Sequence, residues 1–176
     1  MSARSSRGRN DVRLLVTIDG VQAAHFRLRE FENGEGFAMV HASTLESLER
    51  VRRDLGAIAG EEVWVIVTDA VRTQAELERL AARLGWTDEG GAVARGSMHL
   101  AEFGGIAADL VAVIARTRER VPQRTLGAVC RRYFDWVKDD YADGHVHADN
   151  RRIAECGLRN AECAVPAGPR YSRNEE

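Results

Sequence analysis

Three of the chain's five histidines fall in two short clusters that also carry aspartates. The first is Ser97-Met-His99, with Asp109 ten residues further on; the second is Asp143-Gly-His145-Val-His147-Ala-Asp149. Imidazoles and carboxylates grouped in this way suit two kinds of chemistry, holding a metal ion or moving protons. On a strand, side chains alternate between faces, so His145, His147 and Asp149 project the same way. Two imidazoles and a carboxylate on one face are poor core material, because each needs a polar partner once buried. A hydrolytic zinc site takes three protein ligands and leaves the fourth position to water, whose pKa it lowers toward neutrality. His99, Asp109 and one histidine of the pair supply such a set. The competing reading is a pair of solvated histidines at a strand edge, with Asp109 capping a helix.

These residues need elements to position them. Val12 to Ile18, the turn Asp19-Gly20 and a second run to Phe26 predict a β-hairpin. The stretch 27–42, which includes Asn33-Gly34-Glu35-Gly36, reads as irregular. Ser43 and Glu46 form a capping box for a first helix, with Leu45, Leu48, Val51 and Leu55 at helical spacing and Gly56 as its end. Val63–Val67 is a continuous apolar run, the pattern of a central strand buried on both faces. Thr73 and Glu76 cap a second helix, closed by Gly85, with Leu77, Leu80, Ala81 and Leu84 as its buried stripe. The Gly-rich segment 88–96 lacks the GK[ST] ending of a phosphate-binding loop and reads as a flexible loop beside a site. Ile106–Ile114 reads as a buried strand, and Pro122 as the first position of a third helix whose buried face runs from Leu126 to Val137. Gly144–Asp149 is a short final strand. The fold class expected is α+β, a small, mostly antiparallel sheet with helices packed on one side. Residues 1–11 read as a flexible arm, 12–153 as a single domain and 154–176 as a loose tail. Trp86 and Trp136 read as core residues rather than cleft walls, and His25 and His41 fit no motif.

Composition narrows the function classes. A chain of 176 residues, 44% apolar and 30% charged, suits one globular domain with a real core. A net charge of −2 gives no general attraction to nucleic acid, so no nucleic-acid partner is expected. No run approaches the length of a membrane span, and the Arg-rich start is followed by no apolar stretch, so neither membrane insertion nor a secretory signal is expected. The expected place of synthesis is the cytoplasm, and the expected state a monomer. Three cysteines at irregular spacing make no disulfide framework.

The clusters also resemble a known family. Ser97-Met-His99, then Gly105-Ile-Ala107-Ala-Asp109, matches in order the SxHxxGxAxD motif of the zinc D-Ala-D-Ala carboxypeptidases and peptidoglycan endopeptidases, with three extra residues before the glycine. This is the hedgehog/DD-peptidase fold, which includes phage endolysins. His147-Ala-Asp149 is similar to the family's last ligand motif, and Thr68-Asp-Ala-Val-Arg72-Thr73 stands where the family carries SGYRT. Phe26-Arg-Leu-Arg-Glu30-Phe31 looks like the family's F-x-x-x-EF entry, so the resemblance spans about residues 26 to 150.

The resemblance implies one Zn2+ held by His99, Asp109 and His147, and a peptidoglycan stem peptide as substrate. Arg72 would bind and polarise the scissile carbonyl, and Ser97 would fix loop geometry or touch substrate. Gly144 occupies the place where many relatives carry the carboxylate base, so His145 is the expected acid/base, Asp143 the runner-up, and Asp149 the support for an imidazole or arginine. Such an enzyme would reach the wall after release or as part of a virion. A non-catalytic virion or wall-binding relative is one alternative. A metal-dependent nuclease, prompted by Asp143-Gly-His-Val-His and nearby Asn150, is another.

Overall fold

Asp19 and Gly20 both take positive φ, 51° and 81°, as a two-residue hairpin turn requires. They fold Val16–Ile18 (β1) back onto Val21–Ala23 (β2) as a separate two-stranded sheet. The computed structural model describes residues 10–85 and 97–157. Asn10 already belongs to the fold, since its carbonyl accepts the Arg29 N–H and its side chain donates to Glu32 at 2.7 Å. A 3-10 turn at Leu28–Phe31 then leads to the first long helix.

That helix, α1, runs from Ala42 to Ala59. It begins earlier and ends later than the capping-box pattern predicts. His41 is the N-cap, its ring accepting the Ser43 N–H, and Gly60 rather than Gly56 takes the left-handed conformation at the end. Ser43 and Gly56 therefore lie inside the helix. The strand β3 (Val63–Asp69) and the helix α2 (Gln74–Leu84) follow, the latter with the expected Thr73–Glu76 capping box and Gly85 stop. After these come β4 (Ala107–Ile114), α3 (Gln123–Cys130), β5 (Trp136–Lys138), β6 (Val146–Asp149) and α4 (Arg151–Gly157). The Gly-rich segment 88–96, Trp86, the first nine residues and those after 157 lie outside the described residues.

The main sheet is fully antiparallel in the order β3-β4-β6-β5, and the fold is α+β. One face carries Val65, Ala108, Leu110, Ala112, Val146 and Ala148 into a core with Leu48, Val51, Leu126 and Val129 from α1 and α3. The opposite face is free of helices from this pair. It presents Trp64 and Ile66 on β3, Asp109 on β4 and His147 on β6. Val63–Val67 is thus an edge strand rather than a central one. Trp64 and Ile66 are 37% and 39% exposed because they alternate with the buried Val63 and Val65. The strands buried on both faces are β4, over Ala107–Leu110, and β6.

The third helix is shorter than its stripe suggests. Pro122 is its N-cap, and the helix stops at Cys130. Trp136–Lys138 leaves it to pair with His147–Asp149 as the sheet's outer strand. Gly127 permits this return, since a Cβ there would meet the Asp139 carboxylate at 2.2 Å. Burial pushes the Cys130 thiol up to about 12, so it behaves as a small apolar side chain. The helix α4 continues the chain past residue 153, where periodicity alone predicts a loose tail. No helix among the described residues is long and apolar enough to cross a membrane.

One glycine ties the two halves of the fold. Gly105 takes φ +75°, and a Cβ there would sit 2.8 Å from the Met39 carbonyl oxygen, while its own carbonyl accepts the His41 N–H. Both strain and overlap oppose any side chain at this position. Gly105→Ala is expected to destabilise the protein by about 2–4 kcal/mol in urea unfolding, whereas Gly20→Ala, in open space, loses only its turn preference.

Candidate metal centre

The β4–β6 register places Asp109 directly opposite His147 on the open face of the sheet. His99 reaches them from a turn outside the sheet. Its carbonyl accepts the Arg72 N–H at 2.7 Å, Ala101 N–H bonds back to the Arg72 carbonyl, and the ring Nδ1 meets the Ala70 carbonyl oxygen. Between His99 and Gly105 the chain forms a 3-10 turn, Ala101–Phe103, and Gly104 ends it in the left-handed region. The longer spacing therefore leaves the histidine beside Asp109.

Three atoms converge here. His99 Nε2 lies 3.1 Å from Asp109 Oδ1 and 3.0 Å from His147 Nδ1, and His147 Nδ1 lies 2.8 Å from Asp109 Oδ1. His99 and His147 are only 4% and 8% exposed, and Asp109 lies on a strand. Solvated histidines and a helix-capping aspartate are thereby excluded.

The outer nitrogens determine what the inner ones present. His99 Nδ1 faces a carbonyl, which only accepts, so that nitrogen carries the proton and Nε2 offers a lone pair. His147 Nε2 faces Asp149 Oδ2 at 3.1 Å, so in the neutral ring its Nδ1 likewise offers a lone pair. Two lone pairs and a carboxylate oxygen thus point at one another inside the protein. They repel unless a cation lies among them. Tetrahedral zinc ligands stand about 3.3 Å apart at ordinary bond lengths, close to the separations found. The donor set fits a divalent metal ion, and the three residues lie close enough together to bind one.

Asp149 is fully buried and holds more than the imidazole. It accepts from Arg151 Nε at 2.9 Å and Nη2 at 2.8 Å. The Arg151 guanidinium also lies 4.3 Å over Trp136, whose ring stands edge-on to His147 with centroids 5.3 Å apart. Trp136 is therefore a wall of the centre, not core. Periodicity conceals this because residues 133–137 also fit a helical stripe.

Two further groups flank Asp109. Arg72 Nη2 and His145 Nε2 each lie 3.9 Å from its second oxygen, Oδ2. Asp69 grips Arg72 through Nε and Nη2; sequence reasoning missed this residue, whose only signal is its place three residues before the arginine. His145 stacks on Tyr141 at 3.9 Å, and its Nδ1 meets Asp143 Oδ1 at 2.6 Å, which turns Nε2 toward the centre. Asp143 thus sits behind the imidazole, exposed to solvent. Gly144 takes φ +79° beside Arg120, a backbone conformation that disfavours the carboxylate many relatives of the resembled family carry there. Ser97 contributes its carbonyl to the turn before His99, accepting the Leu100 N–H. Asn150 is buried, its side-chain amide donating to Thr44 Oγ1. His25 holds the buried Glu49 at 2.7 Å.

No family model matches the chain, and no curated protein matches it.

The charges of the centre carry a pH signature. Burial raises Asp109, but the adjoining His147 and His99 rings outweigh it and hold the carboxyl well below its usual range. Burial lowers His147, but Asp109 and Asp149 outweigh it and hold the imidazole above its ordinary 6.5. Burial likewise raises Asp149, and Arg151 and His147 more than reverse it. A raised imidazole stabilises the fold fully below its unfolded pKa and loses that contribution as pH rises through the folded value; the depressed carboxylates lose theirs on acidification. Metal-free protein is therefore expected to melt at lower temperature as pH rises from about 6 to about 8, because the proton that separates the ligands leaves. Metal-loaded protein is expected to lack this decline, since its ligands bind deprotonated. Asp149→Asn is expected to weaken metal binding about 10–100-fold in competition with a chromophoric chelator.

Proposed function

We propose that this protein is a zinc-dependent peptide-bond hydrolase of the hedgehog/DD-peptidase fold that acts on bacterial cell-wall peptidoglycan. The observation that carries the reading is the convergence of His99 Nε2, His147 Nδ1 and Asp109 Oδ1 on the open face, flanked by Arg72 and His145. Two imidazoles and one carboxylate are the ligand set of a hydrolytic zinc with an open coordination position. The order of these residues along the chain is the order in the resembled family. The burial of Asn150 against Thr44 leaves Asp143-Gly-His-Val-His alone in support of the nuclease alternative.

His99, Asp109 and His147 would hold the zinc, which when bound acidifies water and polarises a carbonyl. The chain's own groups do the rest. Arg72, braced by Asp69, donates to the carbonyl oxygen as negative charge develops on it. His145 Nε2 takes the proton of the attacking water and returns it to the leaving amine, while Asp143 fixes the ring's tautomer through Nδ1. Asp143 in this scheme orients the base and is not the base. Trp136 and Tyr141 flank the imidazoles and limit their rotation.

Purified protein is expected to carry about one zinc per chain by elemental analysis and to lose it in His147→Ala. It is expected to release new amines from purified peptidoglycan, with products identified by mass spectrometry. Arg72→Ala and His145→Ala should each lower kcat by about 10²–10³ with zinc content unchanged. Full zinc loading with no cleavage of wall material or D-Ala-D-Ala peptides would rule the hydrolase out in favour of a non-catalytic wall-binding role.

A further inference from the structure

A cavity of about 690 Å³ lies between the loop at Glu32–Glu35, the end of β3 and one face of α2. It opens beside Arg72 and so adjoins the metal centre. Its volume suits a segment of peptide. The four acids that line it, Glu32, Glu35, Asp69 and Glu76, all hold partners from the protein: Asn10, Arg79, Arg72 and Asn33 respectively. Acids outnumber arginines along the wall, but each acid already accepts from a protein donor, whereas the arginines keep open N–H donors. Arg72 engages Asp69 through Nε and Nη2 and keeps Nη1. Arg79 engages Glu35 through Nη2 alone. Arg83 has no hydrogen bond or ion pair among the described residues.

Arg79 and Arg83 are four residues apart on α2 and share a face. From the N-cap Thr73, which follows Arg72, the midpoint of Arg79 and Arg83 stands about 12 Å along the α2 axis. That is the length of about four residues of extended peptide. We propose that the cavity binds a carboxylate-bearing segment of the substrate, with the carboxylate about four residues from the scissile bond and held by Arg83 and Arg79. Arg83 supplies open donors, and the ligand shares Arg79 with Glu35. Guanidinium groups match a carboxylate in two-point geometry, which a carboxamide cannot reproduce with the same charge. The inference rests on the peptide-hydrolase reading for the nature of the ligand, but not on whether anything is cut.

The test uses the zinc-loaded full chain and two fluorescein-labelled synthetic peptides containing a D-Ala-D-Ala bond. They are identical except for a carboxylate or a carboxamide four residues from that bond. Anisotropy reads binding, and mass spectrometry of the same samples reads cleavage. The carboxylate peptide is expected to bind about tenfold more tightly at low ionic strength, with the margin shrinking as salt is raised. Arg83→Gln should remove most of the margin, Arg83→Lys should restore part of it, and zinc content should stay the same in both. Equal affinity for the two peptides, no binding of either, or a margin that survives Arg79→Gln with Arg83→Gln overturns the proposal. Cleavage without a carboxylate preference sinks this proposal and leaves the hydrolase standing. A preference without cleavage does the reverse.

Discussion

Asp109 and His147 face each other across the β4–β6 pair, and the candidate metal centre depends on that register. A slip of one residue would turn both side chains into the core beside Leu48 and Leu126, where neither has a partner. The opposite alternation guards against this. Ala108, Leu110, Val146 and Ala148 fill the helix side of the same two strands, so burying them commits the polar residues to the open face. The hydrophobic core and the polar site are thus two consequences of one strand pairing.

The third ligand comes from outside the sheet, which makes its anchoring the delicate part of the design. His99 is held through backbone contacts with Arg72, a carbonyl at Ala70 and the turn that ends at Gly104. Gly105 then passes close against Met39 and Val40 to enter β4. The segment carrying the flanking arginine and the segment carrying the ligand are in this way one hydrogen-bonded unit. Around the ligands, Asp149 with Arg151 and Asp143 with His145 select which ring nitrogen is free. Orientation of a few nitrogens is what most of the buried polar groups near the centre accomplish.

Much of this was legible in the sequence, and the parts that were not share a cause. The hairpin at Asp19-Gly20 and the second helix at Thr73–Gly85 follow from local turn and cap chemistry, which needs no tertiary partner. Spacing and residue type brought out His99, Asp109 and one histidine of the 145/147 pair, because paired imidazoles on an alternating strand have few uses, and the family resemblance singled out His147. The errors lie where a distant partner decides. Trp136 and Val137 fit a helical stripe until β6 offers a strand to pair with. Val63–Val67 looks doubly buried, yet no strand of the main sheet covers its outer side. Asp69 and Tyr141 gain their roles only from contacts with Arg72 and His145, and no local pattern marks them.

The central claim is that the three converging atoms are ligands for a metal ion, which takes the place of the proton that lies among them in the metal-free protein. Nitrogen-15 NMR of the histidine rings, recorded before and after addition of one equivalent of zinc, tests it most directly. The account predicts that in the zinc form His99 carries its proton on Nδ1 and His147 on Nε2, with His99 Nε2 and His147 Nδ1 unprotonated and shifted on metal binding. A proton found on either inner nitrogen of the zinc form, or ring spectra that zinc leaves unchanged, would contradict it.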